Sequence, residues 1–348
     1  VTDAAARLRA LAVPRLTGSA GNAAAREYLK RELTGHGMIV DEQRFAASDA
    51  PLRRATAAAE LAAFAALFFA IGVLAADPWR GLRLAAVPLA LLALLPLIGR
   101  ARGRAPLWGV NLVGRRAAAV PRTWLAAHYD SKGQRISMAT RLLGFAALAL
   151  QVPAAVALAG FVASGARGPW LGLLVLPALC GGAVLSRAGL RNDSPGAVDN
   201  ASGVLAALEA LDRLPATASV GVLFLDAEEL GLQGARALAR AQPELLRGAT
   251  IVNFDGIDDR GTTLALTHRS GPLADQLARA TGAVRVRWLP VLVDGIALAP
   301  TSRECVTVMR GSWGTMTRVH TTRDVAEDVA LDGVRHVASV VAEAMRTL

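Results

Sequence analysis

Four apolar runs, Ala55–Ala76, Leu84–Gly99, Leu142–Ala166 and Gly168–Ser186, restrict what this chain of 348 residues can fold into more than any other feature. Each approaches the roughly 20 apolar residues that a helix needs to cross the hydrocarbon core of a bilayer. Only Glu60 interrupts the first run; the second is the shortest and has Pro88 and Pro96 as candidate break points. A core helix of a soluble protein keeps a polar stripe, and these runs lack one over most of their length. They fall into two pairs, joined by short turns at Asp77–Arg83 and around Arg167 that carry Pro, Gly and Trp. Two inserted transmembrane α-helical hairpins are therefore expected, over residues 51–104 and 136–189. The hydrophobic content of 53% agrees. Val1–Phe45 reads as ordinary globular sequence and not as a secretory signal, so insertion is expected from the internal segments.

The remaining stretches, 1–50, 105–135 and 190–348, read as one discontinuous α/β domain whose apolar strands alternate with helices. Arg26–Leu33 predicts a helix stopped by Gly35, and Met38–Phe45 a strand. Val110–Gly114 and Thr123–Ala127, separated by a polar turn containing Pro121, predict an antiparallel hairpin. Asp199–Leu214 reads as a helix with Val204, Leu208 and Leu211 on one face. Val220–Leu225, Ile251–Phe254 and Val306–Met309 read as buried strands, and Leu331–Met345 as a closing helix. A mixed, mostly parallel central sheet flanked by helices is the expected architecture.

The net charge of +10 comes almost wholly from arginine, but no nucleic-acid-binding motif accompanies it. Ten basic residues, Arg53, Arg54, Arg100, Arg102, Arg104, Lys132, Arg135, Arg141, Arg187 and Arg191, flank the apolar runs on the domain side, against Arg80, Arg83 and Arg167 in the opposite turns. That asymmetry predicts a multi-pass protein of four helices with its domain in the cytoplasm. Trp79, Trp108 and Trp170 are candidate interfacial anchors. Two cysteines are too few for a disulfide framework or a cysteine-based zinc module, so a metal would have to use His, Asp and Glu.

Five short stretches place such groups just beyond strand ends or at a helix start: Ala-His128-Tyr-Asp130-Ser, Ala-Val-Asp199-Asn-Ala-Ser-Gly, Asp226-Ala-Glu228-Glu229-Leu-Gly, Asn253-Phe-Asp255-Gly and Val-His320-Thr-Thr-Arg-Asp324. Taken singly, each has an ordinary structural reading as a cap, a solvated turn or a core-satisfied histidine. Together they supply two histidines and at least three carboxylates, which suits the nitrogen and oxygen preference of zinc in hydrolytic sites. Ligands of open α/β sheets bind beyond the carboxyl ends of the strands, where three of these stretches should converge. Asp130 is suitably spaced to orient the imidazole of His128. His36, His268 and His336 lack comparable surroundings and are expected to be structural.

With these motifs in this order, preceded by Arg15-Leu-Thr-Gly-Ser19 and a helix, the sequence resembles the co-catalytic zinc aminopeptidases of bacteria, metallopeptidase family twenty-eight. That family includes glutamate carboxypeptidases and is related in fold to glutaminyl cyclases. The resemblance implies two zinc ions, one bound by His128 and Asp255, the other by Glu229 and His320, with Asp199 bridging them. It implies Glu228 as the general base, and Asp324 in a structural role near His320. The departures are the two apolar hairpins, one between Phe45 and Val110 and one between Asp130 and Asp199. The segment before His320 aligns poorly, leaving Arg303, Glu304, Arg310 and Trp313 as candidate pocket-lining residues.

The expected function is a membrane-embedded dinuclear zinc aminopeptidase acting on hydrophobic or membrane-released peptides, its active site facing the bilayer. A zinc carboxypeptidase or N-acyl amino-acid hydrolase on the same fold is the alternative; it needs a cation for the substrate carboxylate, which Arg303, Arg310 or Arg318 could supply. A non-enzymatic membrane scaffold would require lost ligands, and all are present. The complete ligand set is also more naturally explained by hydrolysis than by cyclisation of amino-terminal glutamine. The sequence leaves the oligomeric state open.

Overall fold

The runs Thr123–His128 and Val220–Leu225 have every side chain buried, as expected of strands covered on both faces. They are β3 and β4 of an eight-stranded sheet completed by β1 (Ile39–Ala47), β2 (Leu107–Arg115), β5 (Thr250–Ile257), β6 (Thr262–Arg269), β7 (Val284–Val286) and β8 (Glu304–Gly311). The sheet order is β1-β2-β4-β3-β5-β8-β6-β7. Strands β4, β3, β5 and β8 run parallel, while β1, β2 and β6 pair antiparallel with their inner neighbours. This computed structural model describes residues 3–75, 77–101, 107–116, 120–166 and 168–346. Ala76, Arg102, Arg104 and Arg167, which enter the span limits and the charge asymmetry, lie outside the described residues.

The expected hairpin between Val110–Gly114 and Thr123–Ala127 does not form. β4 lies between β2 and β3, antiparallel to the first and parallel to the second. The physical reason is burial: β4 is apolar on both faces and can satisfy them only inside the sheet. The parallel register puts His128 beside Leu225 and Ala127 beside Phe254. His128, the Asp226–Glu229 turn and Asp255 therefore leave the sheet at one edge.

By contact the chain divides into two units, 1–48 with 106–133 and 191–348, and 49–105 with 134–190. The first unit closes across both insertions, since Ala47 pairs with Leu107 and Gly133 with Arg191. Its sheet is covered by helices including Ala20–Gly35, Gly203–Arg213, Gln233–Ala241 and Asp332–Arg346. The helix Gly203–Arg213 is buried from Gly203 to Leu211, and Trp124 in β3 donates its indole N–H to Leu245 O at 2.9 Å.

A charged cluster ties the amino-terminal helices to this core. Arg7, 2% exposed, pairs with Asp212 at 2.5 Å and Glu32 at 2.9 Å, and His36 Nε2 meets Asp212 at 2.5 Å. Asp212 is pulled down to about 2: burial opposes this, but bonds from His36 and Arg7 outweigh it. Its bond to His36 raises the imidazole above its ordinary value, against partial burial. A raised histidine stabilises fully below its unfolded pKa of about 6.5 and loses that contribution as pH rises through its folded value. A depressed aspartate stabilises above its unfolded value of about 4 and loses that contribution as pH falls toward the folded one. Asp212→Asn is therefore expected to cost about 1.5–3 kcal/mol at pH 6. The difference from wild type, read from denaturant midpoints, should shrink both below pH 4 and above neutrality; a pH-independent difference would contradict the pairing.

The second unit is helical: Ala50–Leu74, Pro78–Ala101, Met138–Ala149, Gln151–Ala163 and Leu176–Leu185, the last preceded by a 3-10 turn at Pro169–Val175. Two segments, Ala50–Leu74 and Met138–Ala163, are long and apolar enough to cross a membrane. Pro78–Ala101 is one continuous helix through both Pro88 and Pro96. Small residues set the helix contacts: a Cβ on Gly72 would fall 2.0 Å from Gly81 Cα, and one on Gly182 would fall 2.3 Å from Ala63 Cβ.

Candidate metal centre

Five of the residues singled out in the sequence fall into two groups that share one member. His128, Asp199 and Asp255 form the first, and Asp199, Glu229 and His320 the second; within each, donor atoms lie within 4.8 Å of one another. His128 Nε2 stands 3.2 Å from Asp199 Oδ1 and 3.9 Å from Asp255 Oδ1. His320 Nε2 stands 3.0 Å from Asp199 Oδ2 and 3.4 Å from Glu229 Oε1. Two donors about 2.1 Å from one tetrahedral ion are about 3.4 Å apart, so these separations fit a divalent ion in each group. The donors are imidazole nitrogen and carboxylate oxygen only, a set that suits zinc better than calcium or magnesium.

The scaffold around these donors is polar and buried. Asp130, fully buried, faces His128 Nδ1 at 3.4 Å with Oδ1 and accepts the backbone N–H groups of Glu228 and Glu229, each at 3.2 Å. It thus orients the imidazole and fixes the turn that carries both glutamates. Ala227, at φ 56°, makes that turn tight enough for Glu228 and Glu229 to follow β4 directly. Burial pushes Glu228 well above the carboxylate range, with Glu229 and Asp255 adding to the shift and His128 opposing it.

Asp199 does not begin a regular helix, contrary to the sequence reading. The segment Ala197–Ser202 is kinked at Asp199 and Asn200, and the helix proper starts at Gly203. Asp324 fixes the segment, accepting Val198 N–H at 2.8 Å and Asp199 N–H at 3.1 Å. Arg15, fully buried, donates to Tyr129 O at 2.6 Å and to Gly196 O at 2.9 Å, joining the same segment to the end of β3. Asn200 completes the junction: its amide donates to Phe254 O at 2.9 Å and accepts from Gly203 N–H at 3.1 Å and Gly256 N–H at 3.0 Å. Asn200→Ala leaves those buried groups unpaired and is expected to lower stability by about 2–3 kcal/mol. Thermal unfolding of chelator-treated protein checks this; an unchanged melting curve would contradict the role.

Four of the residues around the site carry structure that the sequence did not announce. Besides Arg15 and Asn200 they are Lys132, whose ammonium pairs with Glu229, and Asp294. Asp294 is fully buried just before the short helix Gly295–Leu298, neither oxygen has a hydrogen-bond partner, and burial pushes its carboxyl up to about 8. Only the burial of these side chains reveals them.

The other candidates separate. Arg303 and Glu304 are at the opposite end of the sheet, since Glu304 pairs with Thr250 at the start of β5, and Arg303 donates to Thr250 Oγ1. They do not line the site, because they stand where β8 begins and the metal donors gather where its parallel neighbours end. Arg310 is at the metal end but donates to Thr263 Oγ1 and Asp259 O, and Arg318 is paired with Asp258 at 2.7 Å. Trp313 is exposed. His36 and His268 have structural partners, Asp212 and Thr307 respectively.

Solved structures share the fold at low identity. Glutaminyl cyclase of Fimbriiglobus ruber matches with 14% identity and a TM-score of 0.58, covering 99% of this chain and 94% of that one. An aminopeptidase from Aneurinibacillus matches with 15% identity and a TM-score of 0.54, over 99% and 93%. A Zn-dependent exopeptidase from Parabacteroides distasonis matches with 14% identity and a TM-score of 0.58, over 98% and 96%. No curated protein matches the sequence. Residues 111–289, just over half of the chain, match the family described as peptidase family M28, and this span holds His128, Asp199, Glu228, Glu229 and Asp255. With that match, the shared fold and the grouping of these side chains at one sheet edge, the chain belongs to peptidase family M28.

Proposed function

We propose that the protein is a dinuclear zinc peptidase that removes residues from free amino termini. The observation that carries the proposal is the sharing of Asp199: its two oxygens face different histidines, His128 at 3.2 Å and His320 at 3.0 Å, so one carboxylate can serve two ions. When bound, the ions supply Lewis acidity for the scissile carbonyl and for an attacking water. Glu228 is held beside the donors but belongs to neither group. Its buried carboxyl takes the proton of the attacking water and passes it to the leaving amine, work that suits a carboxyl whose proton affinity is raised by burial. Asp130 keeps the Nε2 of His128 aimed at the first group by holding its Nδ1 side.

The three candidate arginines favour an aminopeptidase over a carboxypeptidase. Arg303 is at the far end of the sheet, and Arg310 and Arg318 are engaged by Thr263, Asp259 and Asp258. Glutaminyl cyclases among the structural neighbours support a second reading, attack by the substrate's own amine on a glutamine side chain. A panel of amino-free and amino-acetylated dipeptides with one glutaminyl peptide, analysed by mass spectrometry, separates them. Release of free amino acid from unblocked peptides only is expected. Loss of ammonia without chain shortening would replace this reading by the second.

We also infer that the second unit is embedded in the membrane through all four apolar stretches, with the peptidase unit in the cytoplasm and substrates drawn from hydrophobic or membrane-released peptides. Support comes from large apolar side chains that this unit leaves exposed, among them Phe64, Val87, Val152, Val156 and Leu173, and from the arginine asymmetry. A cysteine placed at exposed Glu27 should resist an impermeant thiol reagent on intact cells and react after permeabilisation; labelling of intact cells would reverse the orientation.

A further inference from the structure

We propose that Lys132 is a built-in counter-cation that holds Glu229 in place and makes the ion position of Asp199, Glu229 and His320 the weaker of the two, an inference that rests on the two-ion reading above.

Lys132 lies four residues beyond His128 and is only 6% exposed. Its ammonium pairs with Glu229 Oε2, and its backbone N–H donates to Glu229 Oε1 at 3.3 Å. Oε1 also stands 3.4 Å from His320 Nε2. The carboxylate is therefore divided, one oxygen turned to the donor group and the other to a fixed positive charge. Among the described residues no lysine or arginine pairs with Asp199 or Asp255, so the His128 group has no such competitor.

A buried carboxylate without a partner is strongly unfavourable, and the ammonium relieves this whether or not an ion is bound. It also keeps Glu229 in one rotamer, with Oε1 pointing the right way. Against that benefit stands repulsion between the ammonium and a divalent ion a carboxylate's width away, in a buried site where salt and water screen little. Ordering one side chain is the smaller effect. The net consequence of Lys132 is weaker binding at this position, an ordered loading in which the His128 position fills first, and a donor set that stays assembled before the second ion arrives.

The test is a calorimetric titration of the full-length, chelator-stripped protein in detergent with zinc chloride, against a weak competing chelator. Wild type is expected to take up two ions in two separated steps. Lys132→Met should leave the tighter step in place and tighten the weaker one by at least about tenfold, and Lys132→Arg, which keeps the charge, should behave as wild type. Stripped Lys132→Met should melt below stripped wild type and gain more on adding zinc. If the methionine variant does not fold, Lys132→Gln serves in its place with the same expectation. A neutral variant that binds two ions with an unchanged or further weakened second step would overturn the role of Lys132 alone. Wild type that binds fewer than two ions would overturn the two-ion reading and this inference with it.

Discussion

Asp199→Asn is expected to lose both ions and at least about 10³-fold in turnover, since the two donor groups meet only in that carboxylate and its charge is what offsets two divalent cations. The fold should survive. The backbone of the segment is held by Asp324, and its neighbour Asn200 joins it to the ends of β3 and β5, so the Asp199 side chain contributes to the ions and not to the frame. Metal content measured on purified protein, with melting temperature in chelator as the control, checks both halves. A variant that kept two ions would remove Asp199 from the bridge, and one that melted well below stripped wild type would make it structural.

Glu228→Gln has the second-largest expected effect and a different signature. Glutamine has nearly the same shape, cannot carry the proton, and belongs to neither donor group, so the metal content should be that of wild type while turnover falls at least about 10²-fold. The loss should appear in kcat with little change in KM, as for an interaction made only in the transition state. Near-normal turnover would take Glu228 out of the mechanism.

The sequence showed the inner strands because Val220–Leu225, Ile251–Phe254 and Val306–Met309 are continuous apolar runs that must be covered on both faces. It did not show β6 and β7. Thr262–Arg269 mixes threonine, histidine and arginine with two leucines, since β6 sits toward the sheet margin where one face stays partly wet, and Val284–Val286 is three residues long. The β2–β3 hairpin was misread because adjacency in sequence was taken for adjacency in the sheet, and nothing local to either strand announces that β4 comes between them.

His128, Glu228, Glu229 and Asp255 were legible because they stand at or just beyond the ends of parallel strands, where the topology gathers side chains, whereas Asp199 precedes a helix, His320 follows one, and both were legible only through their motifs. Their supports were not. In the sequence Lys132 reads as one of the basic residues flanking an apolar run, and only the closure of the Asp226–Glu229 turn over it makes it a buried partner of Glu229. Arg15 likewise gives its guanidinium to backbone carbonyls from chain segments more than 110 residues away. Asp294 lies in an irregular stretch without periodicity, so its burial follows from the fold and from no pattern of its own.

A shared-carboxylate centre requires two ions, one on either side of Asp199. Anomalous diffraction at the zinc edge from crystals grown with zinc measures both directly. Two peaks about 3.5–4 Å apart are expected, one beside His128 and Asp255, the other beside Glu229 and His320, with the Asp199 carboxylate between them. A single peak, or peaks away from Asp199, would contradict a shared-carboxylate peptidase centre.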